Sequence, residues 1–156
     1  MIRVLFVCLG NICRSPMAEA MFRDLVKREK LDDIIEVDSA GTGHWHIGKP
    51  PHEGTLSILK KYKVSSEGLK ARQLKIEDGA DFQYIVAMDS DNVKNIHKKL
   101  TSKGNAQVIQ LLDLVQEVTN KDVPDPYFTG DFEEVYELIA KGNQALLQFI
   151  KQDQQL

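Results

Sequence analysis

Apolar positions alternate along the chain between two spacings, short unbroken runs and longer stretches with an apolar residue every third or fourth position. Val4-Leu5-Phe6-Val7 is an unbroken, β-branched-rich run and predicts a buried strand. Residues 17–30, with Ala18, Met21, Phe22 and Leu25 on one face, predict an amphipathic helix. Strand character returns over 34–40, and the glycines and prolines of 43–51 predict a loop. A helix is expected over 53–62. Leu74, Lys75 and Ile76 then lead through a turn at Asp78-Gly79 into a strand over 82–88. A helix over 90–100, a fourth strand over 108–112, a turn-rich loop over 121–130 and a long closing helix over 131–152 complete the chain. Strands alternating with helices imply right-handed crossovers and a parallel sheet buried on both faces. The expected fold is a single α/β domain over 1–156, a three-layer sandwich of a four-stranded parallel sheet with helices on both faces. Ligands of such sheets bind beyond the carboxyl ends of the strands.

Composition narrows the function classes. The 156 residues are 42% hydrophobic and 28% charged, with a formal net charge of -3, and the two signs are mixed along the sequence. No basic field is present to recruit nucleic acid or an anionic membrane. The run from Val4 to Leu9 is too short for a signal-peptide core, and no later run reaches membrane-spanning length, so a cytoplasmic protein is expected. The two cysteines, Cys8 and Cys13, rule out a disulfide framework. A monomer is expected.

Both cysteines fall in the one stretch that carries chemistry. Between the first strand and the helix lies Cys8-Leu9-Gly10-Asn11-Ile12-Cys13-Arg14-Ser15, followed by Pro16, which suits a first helical turn. A loop running from a strand end into a helix N-terminus turns successive N–H groups toward one point and binds anions there. A phosphate in it would meet the Arg14 fork on two oxygens and the Cys8 sulfur at its centre, in a field that favours thiolate. An ordinary buried cysteine and a surface arginine would leave Gly10 and Asn11 unexplained, the residue types that most readily take positive φ. Ser15 is placed to donate to the sulfur. Asp125, stiffened by Pro124 and Pro126, is the candidate proton donor for a leaving oxygen, and Tyr127 beside it can line a slot for a flat substrate.

This loop, with Pro16-Met17-Ala18-Glu19, Ser39-Ala40-Gly41-Thr42, Trp45, Ala71-Arg72-Gln73-Leu74 and Asp125-Pro126-Tyr127, resembles the low-molecular-weight protein tyrosine phosphatases, in order from near residue 2 to near residue 150. The resemblance implies that Cys8 is the nucleophile, Arg14 the phosphate clamp and Asp125 the general acid and then base. Leu9, Gly10, Asn11, Ile12, Cys13, Arg14 and Ser15 would bind the phosphate. Asn11, Ser15 and Ser39 would hold the loop in shape, with Trp45, Tyr127 and Ile12 as walls. It further implies a cysteinyl-phosphate intermediate, neither metal nor cofactor, phosphotyrosine-containing proteins as substrates and inorganic phosphate as product. One position departs: many members carry a histidine three residues before Arg72, bonded to the loop asparagine, where this chain has Leu69. The network around Asn11 is therefore expected to be smaller or differently closed. Relatives acting on phosphoarginine resemble the chain too, but carry threonine at Ile12; a bulky apolar residue there favours a flat phenol.

Rival readings are weaker. Thioredoxin-coupled arsenate reductases share the loop but need cysteines beyond it, and none follows Cys13. Asp89 and Asp91, after an apolar run, resemble the aspartate motif of magnesium-dependent haloacid-dehalogenase-type phosphatases, although a helix cap explains them. Residues 43–49 have P-loop spacing but are followed by Pro50, which has neither hydroxyl nor N–H. His44 and His46 lack zinc-ligand spacing with the cysteines. A phosphotyrosine-binding module without activity would need no Asp125. Cys13 is the expected redox partner of Cys8, capturing its sulfenic acid as a disulfide.

Overall fold

The computed structural model describes residues 1–101 and 104–156. Its strands β1 (Ile2–Cys8), β2 (Ile35–Gly41), β3 (Tyr84–Ala87) and β4 (Gln107–Gln110) form one parallel sheet in the order β2-β1-β3-β4. The first strand is thus central, and its end sits where the strand order reverses, the place at which open α/β sheets bind ligands.

Because successive side chains of a strand face opposite ways, β1 divides its residues between two cores. Val4, Phe6 and Cys8 join the larger one, built with helices α1 (Arg14–Arg28), α2 (Glu53–Lys61) and α6 (Phe132–Asp153). Leu5 and Val7 join the smaller one with Ile85, Ala87 and Ile96 of helix α4 (Ser90–Leu100). Helices on both faces of a four-stranded parallel sheet are the architecture expected from the sequence. Two short helices, α3 (Asp78–Asp81) and α5 (Pro126–Thr129), lie within segments read as a turn and a loop.

Most elements differ from the expected limits by one to three residues, the third strand, for example, spanning Tyr84–Ala87 rather than 82–88, and two of the differences have identifiable reasons. The first helix starts at Arg14, three residues before the apolar periodicity begins, so Pro16 falls in its first turn, where a missing N–H costs nothing. The fourth strand stops at Gln110, and Leu111 and Leu112 curl into a one-turn 3₁₀ helix, Leu111–Leu114, while staying buried. Leu111 lies against the bare backbone of Gly142 in α6, where an added Cβ would fall 2.5 Å from its Cγ. An apolar run demands burial, and either conformation supplies it. Among the described residues no helix is long and apolar enough to cross a membrane.

Candidate active site

The loop leaves β1 at Cys8 and re-enters regular structure at Arg14, so the central strand and the buried helix α1 fix both ends. Between them Asn11 takes a φ of 57°, the left-handed conformation that asparagine tolerates. The β2 end packs directly beneath: a Cβ on Gly41 would lie 2.9 Å from the Leu9 carbonyl oxygen, so only glycine fits there without displacing the loop.

The Asn11 side chain ties the loop to three segments. Its Nδ2 donates to Ser15 Oγ at 2.7 Å and to Ser39 Oγ at 2.9 Å, and its Oδ1 accepts the Arg72 backbone N–H at 2.9 Å. The backbone of Arg72 thus closes the network, while Leu69 is buried in the main core. Arg72 is itself fixed by a two-point ion pair to Asp78, at 3.0 and 3.1 Å, and by Asp38 at 3.1 Å.

The donors in this network have a direction. Ser39 gives its proton to Glu19 Oε1 at 2.6 Å and accepts from Asn11. Ser15 also accepts from Asn11, which leaves its own hydroxyl proton for Cys8 Sγ, 3.0 Å away. Glu19, buried at the far end, was not singled out as a functional residue by its sequence pattern. Burial pushes its carboxyl up to about 7, with Asp38 adding to the rise while the Ser39 bond, Arg23 and Arg72 oppose it. Since the folded-state value is raised, Glu19 favours the fold while protonated, and that contribution is lost as pH rises through about 7. Urea unfolding of Glu19→Gln should therefore show a flatter fall in stability between about pH 4.5 and 7.5 than the unsubstituted protein, and parallel curves would contradict this.

Arg14 is 3% exposed and held from three sides. Its Nη1 donates to Asp89 Oδ2 at 2.6 Å and to the Val123 carbonyl at 3.0 Å, and its Nη2 lies 3.4 Å from Asp125 Oδ2. Burial alone would lower the guanidinium pKa, but Cys8, Asp89 and Asp125 together raise it above its ordinary value. Asp89 caps α4, accepting the Asn92 N–H at 2.7 Å in a capping box, and has this second role as the anchor of Arg14. Local sequence shows the cap but not the anchor. Asp125 caps α5 through the Tyr127 N–H at 3.1 Å, which keeps its other oxygen toward Arg14.

Over Cys8 opens a cavity of about 160 Å³, walled by Ile12, Trp45, His46, Tyr127 and Phe128, with Arg14 and Asp125 at its edge. Trp45 is exposed and stacks on His44; Tyr127 is exposed too, edge-on to His52, which stacks on Phe132. His46 and Phe128 are further wall residues, which no motif in the sequence marks as such. Among the described residues no group of three or more His, Cys, Asp or Glu side chains is placed to hold a metal ion. Cys13, at the end of the loop and in the lining of the same cavity, is a free, largely buried thiol, its pKa pushed up to about 12, chiefly by burial, with Cys8 and Asp125 adding.

A buried thiol under a serine hydroxyl, beside a fixed guanidinium at the switch point of a parallel sheet, is an arrangement chemically suited to receive an anion in an α/β fold. Comparison with known proteins makes this specific. Residues 3–156 match the family described as low molecular weight phosphotyrosine protein phosphatase, and the chain belongs to that family, which makes it a hydrolase of the phosphatase class. It is 52% identical to the low molecular weight protein-tyrosine-phosphatase YfkJ of Bacillus subtilis, with 100% of both chains covered. The YfkJ crystal structure superposes with a TM-score of 0.94 over 98% of this chain and 96% of that one. Identity to the Staphylococcus aureus enzyme PtpA is 45%, covering 100% of this chain and 98% of PtpA. A Drosophila protein described as an arginine phosphatase is similar in structure, with a TM-score of 0.87 and 34% identity over 96% of this chain and 98% of its own.

Proposed function

We propose that the protein hydrolyses phosphotyrosine in protein substrates through a cysteinyl-phosphate on Cys8, with inorganic phosphate as the final product. The observation that carries this reading is the meeting of Cys8, Arg14 and Asp125 at one aromatic-walled cavity, with Ser15 3.0 Å from the sulfur. The Cys8 thiolate attacks phosphorus in line, forming the S–P bond as the P–O bond to the tyrosyl oxygen breaks. Arg14 holds two equatorial oxygens, and loop residues 9–15 surround the rest. Asp125 protonates the departing phenolate, then takes a proton from the water that displaces sulfur. Ser15 donates to the sulfur, stabilising it as the attacking and later the leaving thiolate. Asn11 and Ser39 maintain that orientation.

The walls support a flat substrate. Ile12 is nearly buried and faces the same cavity as Trp45 and Tyr127, so a phenol ring is accommodated by contact, whereas a guanidinium would leave its N–H groups unpaired there. A phosphotyrosine peptide should be hydrolysed with a kcat/KM at least tenfold above that of the matching phosphoarginine peptide, and Ile12→Thr should narrow the ratio by about tenfold. A wild-type preference for phosphoarginine would reverse the substrate assignment.

The protein acts as a cytoplasmic monomer in this reading, and both of its cysteines are free thiols. Cys13 is the candidate resolving thiol. If peroxide converts Cys8 to its sulfenic acid, the Cys13 thiol condenses with it, releasing water and forming the S–S bond. Burial favours the protonated form of Cys13, which slows that capture.

A further inference from the structure

Two grooves run outward from the catalytic cavity along α4, and they differ in charge. One, of about 470 Å³, is bordered by Arg14, Lys94 and Lys98 but equally by the carboxylates Asp89, Asp91 and Asp125. The other, of about 450 Å³, lies between α4 and the segment that follows β2. It is bordered by Asn95, Lys98 and Lys99 on the helix side and by Trp45, Thr42 and Gln73 opposite, with no carboxylate among the described residues of its lining. Asn95, Lys98 and Lys99 are spaced three and four positions apart, so they share one face of α4. Both lysines are exposed, and no carboxylate among the described residues pairs with either.

We propose that this second groove is a subsite for an acidic side chain of the protein substrate, next to the phosphotyrosine held over Cys8. The proposal rests on the phosphotyrosine reading and specifies its substrate class. Continuity supports it: Trp45 and Leu9 border both the catalytic cavity and the groove, so a chain with its phosphoryl group at Cys8 passes over them to reach Lys98 and Lys99. Charge complementarity selects the occupant. The unpaired ammonium groups and the side-chain amide of Asn95 offer donors to a carboxylate, while the first groove confronts it with Asp91. Exposed charge pairs of this kind act mainly on encounter and ground-state binding, so the effect belongs in kcat/KM rather than kcat.

The test compares matched phosphotyrosine peptides carrying Glu or the isosteric Gln on each side of the tyrosine, with p-nitrophenyl phosphate as a substrate too small to reach the groove. The Glu peptide of one flank should be preferred about fivefold in kcat/KM at low salt, with the preference falling as salt rises. Lys98→Gln/Lys99→Gln should erase that preference and leave p-nitrophenyl phosphate turnover unchanged. Lys98→Glu/Lys99→Glu should reverse it toward the Gln peptide. Equal kcat/KM for Glu and Gln peptides in the unsubstituted protein overturns the subsite while the phosphatase reading stands. So does a preference that survives both double substitutions. Failure to hydrolyse p-nitrophenyl phosphate and every peptide would remove the phosphotyrosine reading itself.

Discussion

Cys8→Ser is expected to abolish turnover of aryl phosphates, by roughly 10⁴-fold or more, while the protein keeps its fold. The substitution exchanges one γ atom for a smaller one at a buried position, so the loop has no steric reason to rearrange. The chemistry changes completely. A serine hydroxyl holds its proton at neutral pH, and the nearest side-chain partner of the sulfur is Ser15, which is no base. The side chain bonded at position 8 therefore offers no base to generate an alkoxide. Arg14 remains buried between Asp89, Val123 and Asp125, and so phosphate binding should persist in the variant. Hydrolysis measured with a chelator present, together with phosphate binding by calorimetry, separates lost nucleophile from lost site. Residual activity near that of the unsubstituted protein would place the nucleophile elsewhere.

For Asp125→Ala the expected loss is about 10²–10⁴-fold, and its size should depend on the leaving group. An alkyl or unactivated phenyl oxygen needs a proton as the P–O bond breaks, whereas p-nitrophenolate leaves without one. The substitution also removes a carboxylate from Arg14, but that contact is the longer of the two at 3.4 Å, and Asp89 stays in place at 2.6 Å. A purely positional role for Asp125 would lower kcat/KM for all substrates alike. An acid role lowers kcat/KM steeply for poor leaving groups and little for good ones, while loss of the base in the second step lowers kcat whatever the leaving group. A slope of log kcat/KM against leaving-group pKa equal in the two proteins would exclude the acid role.

Much of this site is legible in the sequence because it is local. Eight consecutive residues hold the candidate nucleophile, the clamp and the serine, and the apolar run before them fixes the loop at a strand end. Helix α4 is read with the same limits that the structure gives, since Asp89 marks its start through a capping box. What could not be read is set by distance along the chain. Arg14 and Asp89 are 75 positions apart, and Asn11 meets the Arg72 backbone across 61. Neither pairing leaves a mark in any window of periodicity. Glu19 shows the same limit from the other side: in the sequence it is a polar residue of an amphipathic helix, and only β2 packed against that helix turns it into a buried acceptor for Ser39. The departure at Leu69 was visible, but its remedy was not, because a backbone N–H has no signature in the side-chain sequence. The expected fourth strand overruns the observed one because an apolar pair buried in a 3₁₀ turn has the same sequence pattern as one buried in a strand.

The central claim is a phosphoryl group carried on Cys8, and rapid acid quench during turnover of an aryl phosphate tests it most directly, best in Asp125→Ala, where water attack loses its base. Peptide mass spectrometry of the quenched protein should find one added phosphoryl group on the segment containing Cys8, and none after Cys8→Ser. Phosphorylation of Asp89 instead, or turnover with no phosphorylated enzyme in the quench and an unchanged rate in Cys8→Ser, would contradict the account.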